Sequence, residues 1–261
     1  MTDADDAYAN APYIAGGADY PARWTAAAAA FRAATAGDVV AYGPSPRQHY
    51  EWYVPGAPKG TVIFVHGGYW RQTDPSVWSH LAAPIVAQGW ACALPGYDLC
   101  PAVPIASITQ QIAHAIQTIA ARAPGALILA GHSAGGHLAA RMCAPGMLPA
   151  AVMDRVRRVV PISPLTDLAP LRATLMNDDF RLDQGMARVE SPVHQPAPDV
   201  PVSIWVGAAE RPVFLEHAGW LKTAWGCACR VLEGENHYTI VERLGEVVQD
   251  DQSPSAATHH R

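Results

Sequence analysis

Residues 126–136 read Ala-Leu-Ile-Leu-Ala-Gly131-His132-Ser133-Ala134-Gly135-Gly136. The five apolar residues have the pattern of a strand buried on both faces, and they run directly into G-x-S-x-G with a helix-compatible stretch behind it. In that setting the flanking glycines permit a sharp strand-to-helix turn, which lifts the serine hydroxyl above the sheet as a nucleophile. A Gly-rich turn with an inert serine would explain the glycines, but not the strand before them and the helix after.

Outward from this stretch the same rhythm repeats. Apolar, β-rich runs stand at 61–65 (TVIFV), 91–94 (ACAL), 158–162 (RVVPI), 201–206 (PVSIWV) and 229–232 (CRVL), with an aromatic strand at 49–54. Between them, 76–88, 104–122, 134–144 and 213–225 carry helical periodicity, clearest in Ile105, Ile108, Ile112, Ile116 and Ile119. Strands alternating with helices predict an α/β fold, a mostly parallel sheet with helices on both faces and no large cap domain. One domain is expected over 1–261. Residues 1–45 read as an N-terminal helical segment packing on the body, with Trp24, Ala28 and Phe31 on one face. Residues 165–199, rich in Asp, Pro and Met, read as a lid-like excursion, and 250–261 as a flexible tail.

Composition narrows the partners. Of 261 residues, 50% are hydrophobic, and 18 basic against 23 acidic residues leave a net charge of −5. A nucleic-acid surface needs a stripe of Lys and Arg, and none is present, so no nucleic-acid partner is expected. No apolar run is long enough to span a bilayer, and the acidic N-terminus (MTDADDAYAN) is unlike a secretory signal, so a cytoplasmic protein without membrane attachment is expected. Five cysteines, scattered through apolar segments, read as reduced core thiols. Cys227 and Cys229 lack nearby His or Cys partners at metal-binding spacing, so no metal or cofactor is expected.

Serine is a weak nucleophile at neutral pH and needs a base for its proton and fixed donors for the negative oxygen formed on the substrate. After the strand TVIFV comes His66-Gly67-Gly68-Tyr69-Trp70, where small residues let backbone amides approach a substrate oxygen. The amides of Gly68 and Tyr69, with that of Ala134 after the nucleophile, are the expected oxyanion donors. The base must follow the serine in the chain. His194, His217, His237 and the terminal His259/His260 pair compete, and His237 alone follows a final strand through a polar loop. The acid belongs after the strand PVSIWV, where Glu210 stands; Glu216 lies further into the helix, and Asp167 follows the preceding strand. There is no G-x-x-x-x-G-K-[ST], no G-x-G-x-x-G after a strand and no H-E-x-x-H, so phosphate, dinucleotide and zinc-protease chemistries lack their residues.

Through HGGYW (66–70), GHSAGG (131–136), SPLTDL (163–168) with Asn177, and GAAERP (207–212), the chain resembles the α/β-hydrolase superfamily. More narrowly, it is similar to the branch of serine-dependent kynurenine formamidases (arylformamidases) and their esterase-like relatives. Tyr8-Ala9-Asn10 and Tyr42-Gly43-Pro44-Ser45-Pro46-Arg47 belong to the same resemblance, which covers most of residues 8–245. Glu51 departs from it, standing where relatives commonly show Asp. The resemblance implies Ser133 as nucleophile, Glu210 as acid and His237 as base. It also implies that Tyr69 and Trp70, with His132 beside the nucleophile, contact substrate, although these aromatics could equally only pack against 165–199. The expected reaction is hydrolysis of a small carboxylic ester or aryl formamide through an acyl-serine, with substrate and water as partners. A general short-chain carboxylesterase is the first alternative, and a non-catalytic binding protein of the same fold the second. The N-terminal helix and the 165–199 excursion are compatible either with serving as a homodimer face or with covering the active site.

Overall fold

The computed structural model describes residues 2–249, so the tail expected over 250–261 lies outside the described residues. Eight strands form one sheet: β1 Asp38–Ala41, β2 His49–Tyr53, β3 Gly60–Val65, β4 Ala91–Pro95, β5 Ala126–His132, β6 Val156–Ile162, β7 Ser203–Gly207 and β8 Ala228–Leu232. Their spatial order is β1-β2-β4-β3-β5-β6-β7-β8. The pairs from β4 through β8 are parallel, and β1-β2-β4 is the antiparallel edge.

The parallel strands read as unbroken apolar runs because both faces are covered. Successive residues of β3 divide between the faces: Ile63 and Val65 join the layer holding the isoleucines of helix Ile105–Arg122, while Val62 and Phe64 join the layer with Trp78, Ile85 and Trp205. In that helix Ile105, Ile108, Ile112, Ile116 and Ile119 are all buried, as their spacing demands.

β1 escaped the sequence reading. Its burial is almost wholly outward, so no apolar signal marks it; it exists because it pairs with β2, from Asp38 opposite Trp52 to Ala41 opposite His49. The region after β3 also differs from the helix expected over 76–88. It is two short 3-10 turns, Pro75–Val77 and Ser79–Leu81, before a helix Ala82–Ala87. Pro75 and Pro84 constrain the backbone there.

The N-terminal segment packs on the body through helix Tyr20–Ala34, whose buried residues Tyr20, Trp24 and Ala28 recur every fourth position. Trp24 lies against Trp78 at 4.7 Å and Tyr238 at 5.1 Å between ring centroids.

The 165–199 segment, expected as a lid-like excursion, contains two α-helices, Asn177–Phe180 and Gln184–Glu190, and none of its residues is among those lining the cavity at Ser133. Instead it seals the core. Phe180 packs edge-on to Trp70, and the buried Glu190 carboxylate accepts from Thr109 Oγ1 (2.7 Å) and Arg141 Nε (3.3 Å). Those partners compensate a charge that would otherwise be too costly to bury.

Three buried histidines make stability depend on pH. Burial pushes His66, His137 and His217 down to about 4, from an ordinary value of 6.5. Below 6.5 the unfolded chain takes up protons that the folded core refuses. Stability is therefore complete above 6.5 and is lost as pH falls toward 4, by up to about 3 kcal/mol for each residue. The urea midpoint is expected to drop markedly between pH 7 and pH 4.5; equal midpoints would contradict the neutral, buried state of these rings.

Candidate active site

The turn after β5 is held in a conformation few residues adopt. Ser133 has φ 57° and ψ −117°, and its N–H donates to Ile162 O at 2.8 Å. Such backbone geometry costs about 1–3 kcal/mol and persists only where neighbours impose it. Two glycines make it sterically feasible: a Cβ at Gly131 would collide with Gly135 O, and one at Gly135 with Val65 O. The helix Ala134–Arg141 then starts immediately, so the N–H of Ala134 is one of its first-turn donors without an intrahelical acceptor.

Glu210 follows β7 and is 8% exposed. Its Oε1 accepts from Ser163 Oγ (2.5 Å) and from the Gly207 N–H (2.8 Å), while Oε2 accepts from His237 Nδ1 (2.7 Å). Because the carboxylate takes the proton on Nδ1, a neutral His237 carries its lone pair on Nε2. Phe214 lies 4.1 Å from the imidazole centroid and limits its rotation. Ser133 and His237 line one cavity of about 210 Å³. No hydrogen bond joins the Ser133 hydroxyl to the imidazole among the described residues. Catalytic hydrogen bonds are commonly long without substrate and tighten as it binds.

The loop after β3 is pinned in a similar way. Tyr69, Trp70 and Thr73 all have positive φ (50°, 53° and 70°). Gly68 O accepts from the N–H groups of Arg71 (2.9 Å) and Gln72 (3.0 Å), and Trp70 O accepts from Cys100 N–H (2.8 Å). The amides of Gly68 and Tyr69 donate to no protein acceptor among the described residues, and both residues line the cavity.

Trp70 takes the second of its two expected places, packing against the 165–199 segment. It is fully buried, edge-on to His137 at 5.0 Å and Phe180 at 5.5 Å, and does not line the cavity. Adjacent residues of a tight loop point in different directions, and here Trp70 anchors the loop in the core while Tyr69 faces the cavity. Tyr69 Oη donates to Tyr8 O at 2.7 Å. His132 also lines the cavity, and its Nε2 donates to His237 O at 2.8 Å. Burial, then the neighbouring His237, hold His132 well below the usual histidine range, so it is neutral.

The competing residues lie elsewhere. His217 is buried between Tyr8 Oη (2.9 Å from Nε2) and the Thr166 N–H (3.0 Å from Nδ1), and Asp167 accepts from Ser191 Oγ at 3.3 Å. Two groups of residues were missed. Ser163 orients Glu210, with φ 46° after β6 as its structural mark; in sequence it stands only as the first residue of SPLTDL, with no role attached. Asn10, Pro21, Trp24 and Thr25, from the N-terminal segment, form part of the cavity wall, with no residue of that segment named for the site in advance. All five cysteines are unpaired, no helix among the described residues is long and apolar enough to cross a membrane, and no group of three metal-ligating side chains occurs among them.

Comparison with known proteins gives a consistent family. A family model described as alpha/beta hydrolase fold matches residues 62–192. A crystal structure of a Silicibacter sp. protein, provisionally labelled a thioesterase, is 48% identical, with a TM-score of 0.92 over 94% of this chain and 95% of that one. A kynurenine formamidase of Drosophila melanogaster is 28% identical over 74% of this chain and 70% of its own length. One from Salmo salar is 27% identical over 59% of this chain, a match that spans only 54% of the salmon protein. Esterase B of Lactobacillus rhamnosis, 20% identical at a TM-score of 0.69 over 89% of this chain and 92% of that one, shares the fold.

Proposed function

The chain belongs to the α/β-hydrolase fold family, and from that premise we propose that it cleaves a small carboxylic ester or aryl formamide through an acyl-Ser133 intermediate. The observation that carries this reading is the Glu210–His237 pair at 2.7 Å, opening onto the same cavity as a serine held at a strained turn.

In the proposed mechanism, His237 Nε2 takes the Ser133 proton as the hydroxyl oxygen attacks the substrate carbonyl. Glu210 keeps the imidazole in the Nδ1–H tautomer and stabilises the imidazolium that forms. The amides of Gly68, Tyr69 and Ala134 hold the oxyanion; donors already fixed by the folded loop need no reorganisation as charge develops. His237 then protonates the departing alcohol or amine. Water attacks the acyl-enzyme with His237 again as base, releasing the acid and restoring Ser133.

The formamidase relatives favour an aryl formamide among the substrates. The 48% identical Silicibacter protein keeps a short-chain ester or thioester as the second reading. A fluorophosphonate probe is expected to label Ser133 stoichiometrically, with parallel loss of p-nitrophenyl acetate turnover. Absence of labelling on active protein would remove the acyl-serine route and favour a binding role.

A further inference from the structure

The cavity at Ser133 is walled by apolar and uncharged polar groups. Trp24, Trp78, Tyr238 and Tyr69 supply aromatic surface, and Gln72, Thr73 and Thr25 supply neutral polar atoms. Among the described residues, no Asp, Glu, Lys or Arg lines it. Glu210, the nearest acid, has both carboxylate oxygens committed behind the imidazole. An ammonium or carboxylate entering this space would give up its water and meet no opposite charge, a transfer that strongly disfavours binding.

A second cavity of about 170 Å³ shares Asn10 and His237 with the first and includes Arg211. That cation is ion-paired through one nitrogen, while its buried Nε has no hydrogen-bond partner among the described residues. Its Nη2 bonds Asp6 Oδ2 (2.8 Å) and Asp6 O (3.2 Å), and its guanidinium lies 3.6 Å from the Tyr13 ring centroid. It is thus tied to the N-terminal segment.

Resting on the acyl-serine reading above, we propose that this site selects an uncharged N-aryl formamide: an aromatic amine leaving group bearing the formamide N–H and no amino-acid tail. The aryl ring takes the aromatic wall, and the bare formyl group lies at Ser133. Hydrolysis adds water across the C–N bond, giving formate and a neutral arylamine.

The test compares two substrates with the same ring, ketone and formamide: N-formyl-2-aminoacetophenone, which is uncharged, and N-formylkynurenine, which carries the amino-acid tail. Because their scissile bonds are alike, the kcat/KM ratio reports the tail alone. A ratio of tenfold or more in favour of the tailless compound is expected, with Arg211→Gln leaving that ratio within twofold.

Equal or better turnover of N-formylkynurenine would overturn the proposal, as would an Arg211→Gln variant that loses tenfold on that substrate alone, since Arg211 would then be its carboxylate partner. Cleavage of p-nitrophenyl acetate and labelling of Ser133 without turnover of either formamide would overturn the substrate class and leave the acyl-serine reading standing. No labelling and no turnover of any of the three would sink both.

Discussion

Replacing Ser133 with alanine is expected to reduce p-nitrophenyl acetate turnover to the uncatalysed background. The full loss on a less activated substrate should be on the order of 10⁶ in kcat, as when one member of a cooperating triad is removed. The size follows from what is deleted. Without the hydroxyl there is no covalent step, and neither the His237–Glu210 pair nor the oxyanion amides has a nucleophile to assist. About 8 kcal/mol of barrier lowering disappears with a single oxygen atom. The fold should be indifferent: the hydroxyl bonds no protein group among the described residues, and the N–H bond to Ile162 O remains in alanine. Unchanged thermal unfolding with abolished turnover is therefore the expected pair of results, and a variant retaining the parent rate would refute the assignment.

Glu210→Gln should be nearly as severe, about 10⁴ in kcat, for a different reason. The carboxylate accepts three hydrogen bonds, from Ser163 Oγ, Gly207 N–H and His237 Nδ1. A carboxamide has one oxygen for these donors and must turn its NH₂ group toward one side. Facing His237, the NH₂ forces the proton onto Nε2, where the ring can no longer accept from serine. Facing Ser163 and Gly207, it leaves the buried Gly207 N–H unpaired, at about 1–3 kcal/mol. Steady-state rates and denaturant unfolding on the same preparation separate the two orientations. A variant within tenfold of the parent enzyme would show that Glu210 does not orient the base.

The α/β architecture and the strand-loop positions of Ser133, Glu210 and His237 were readable in one dimension because each has a local cause. Continuous apolar runs mark doubly covered strands, and glycines mark turns where a side chain cannot fit. The sign of side-chain direction is not local. Tyr69 and Trp70 are neighbours in HGGYW with equal claims on substrate, yet one faces the cavity and the other fills the space beside His137 and Phe180. Ser163 is visible in SPLTDL but its role is not, because that role depends on Glu210, 47 positions away.

From residue order alone came the class of fold, the proposed nucleophile and the chain positions of the acid and base proposed for it, since short-range periodicity and steric demand encode them. The wall of the cavity came from long-range packing. Trp24 reaches Trp78 and Tyr238, and Asn10 reaches the neighbourhood of His237, only after the sheet has assembled. Residues 165–199 pack Phe180 and Glu190 into the core, because that is where Trp70 and Arg141 await them. Which segment encloses a cavity depends on which apolar faces remain uncovered when the layers close, a property of the whole assembly and of no single stretch of chain.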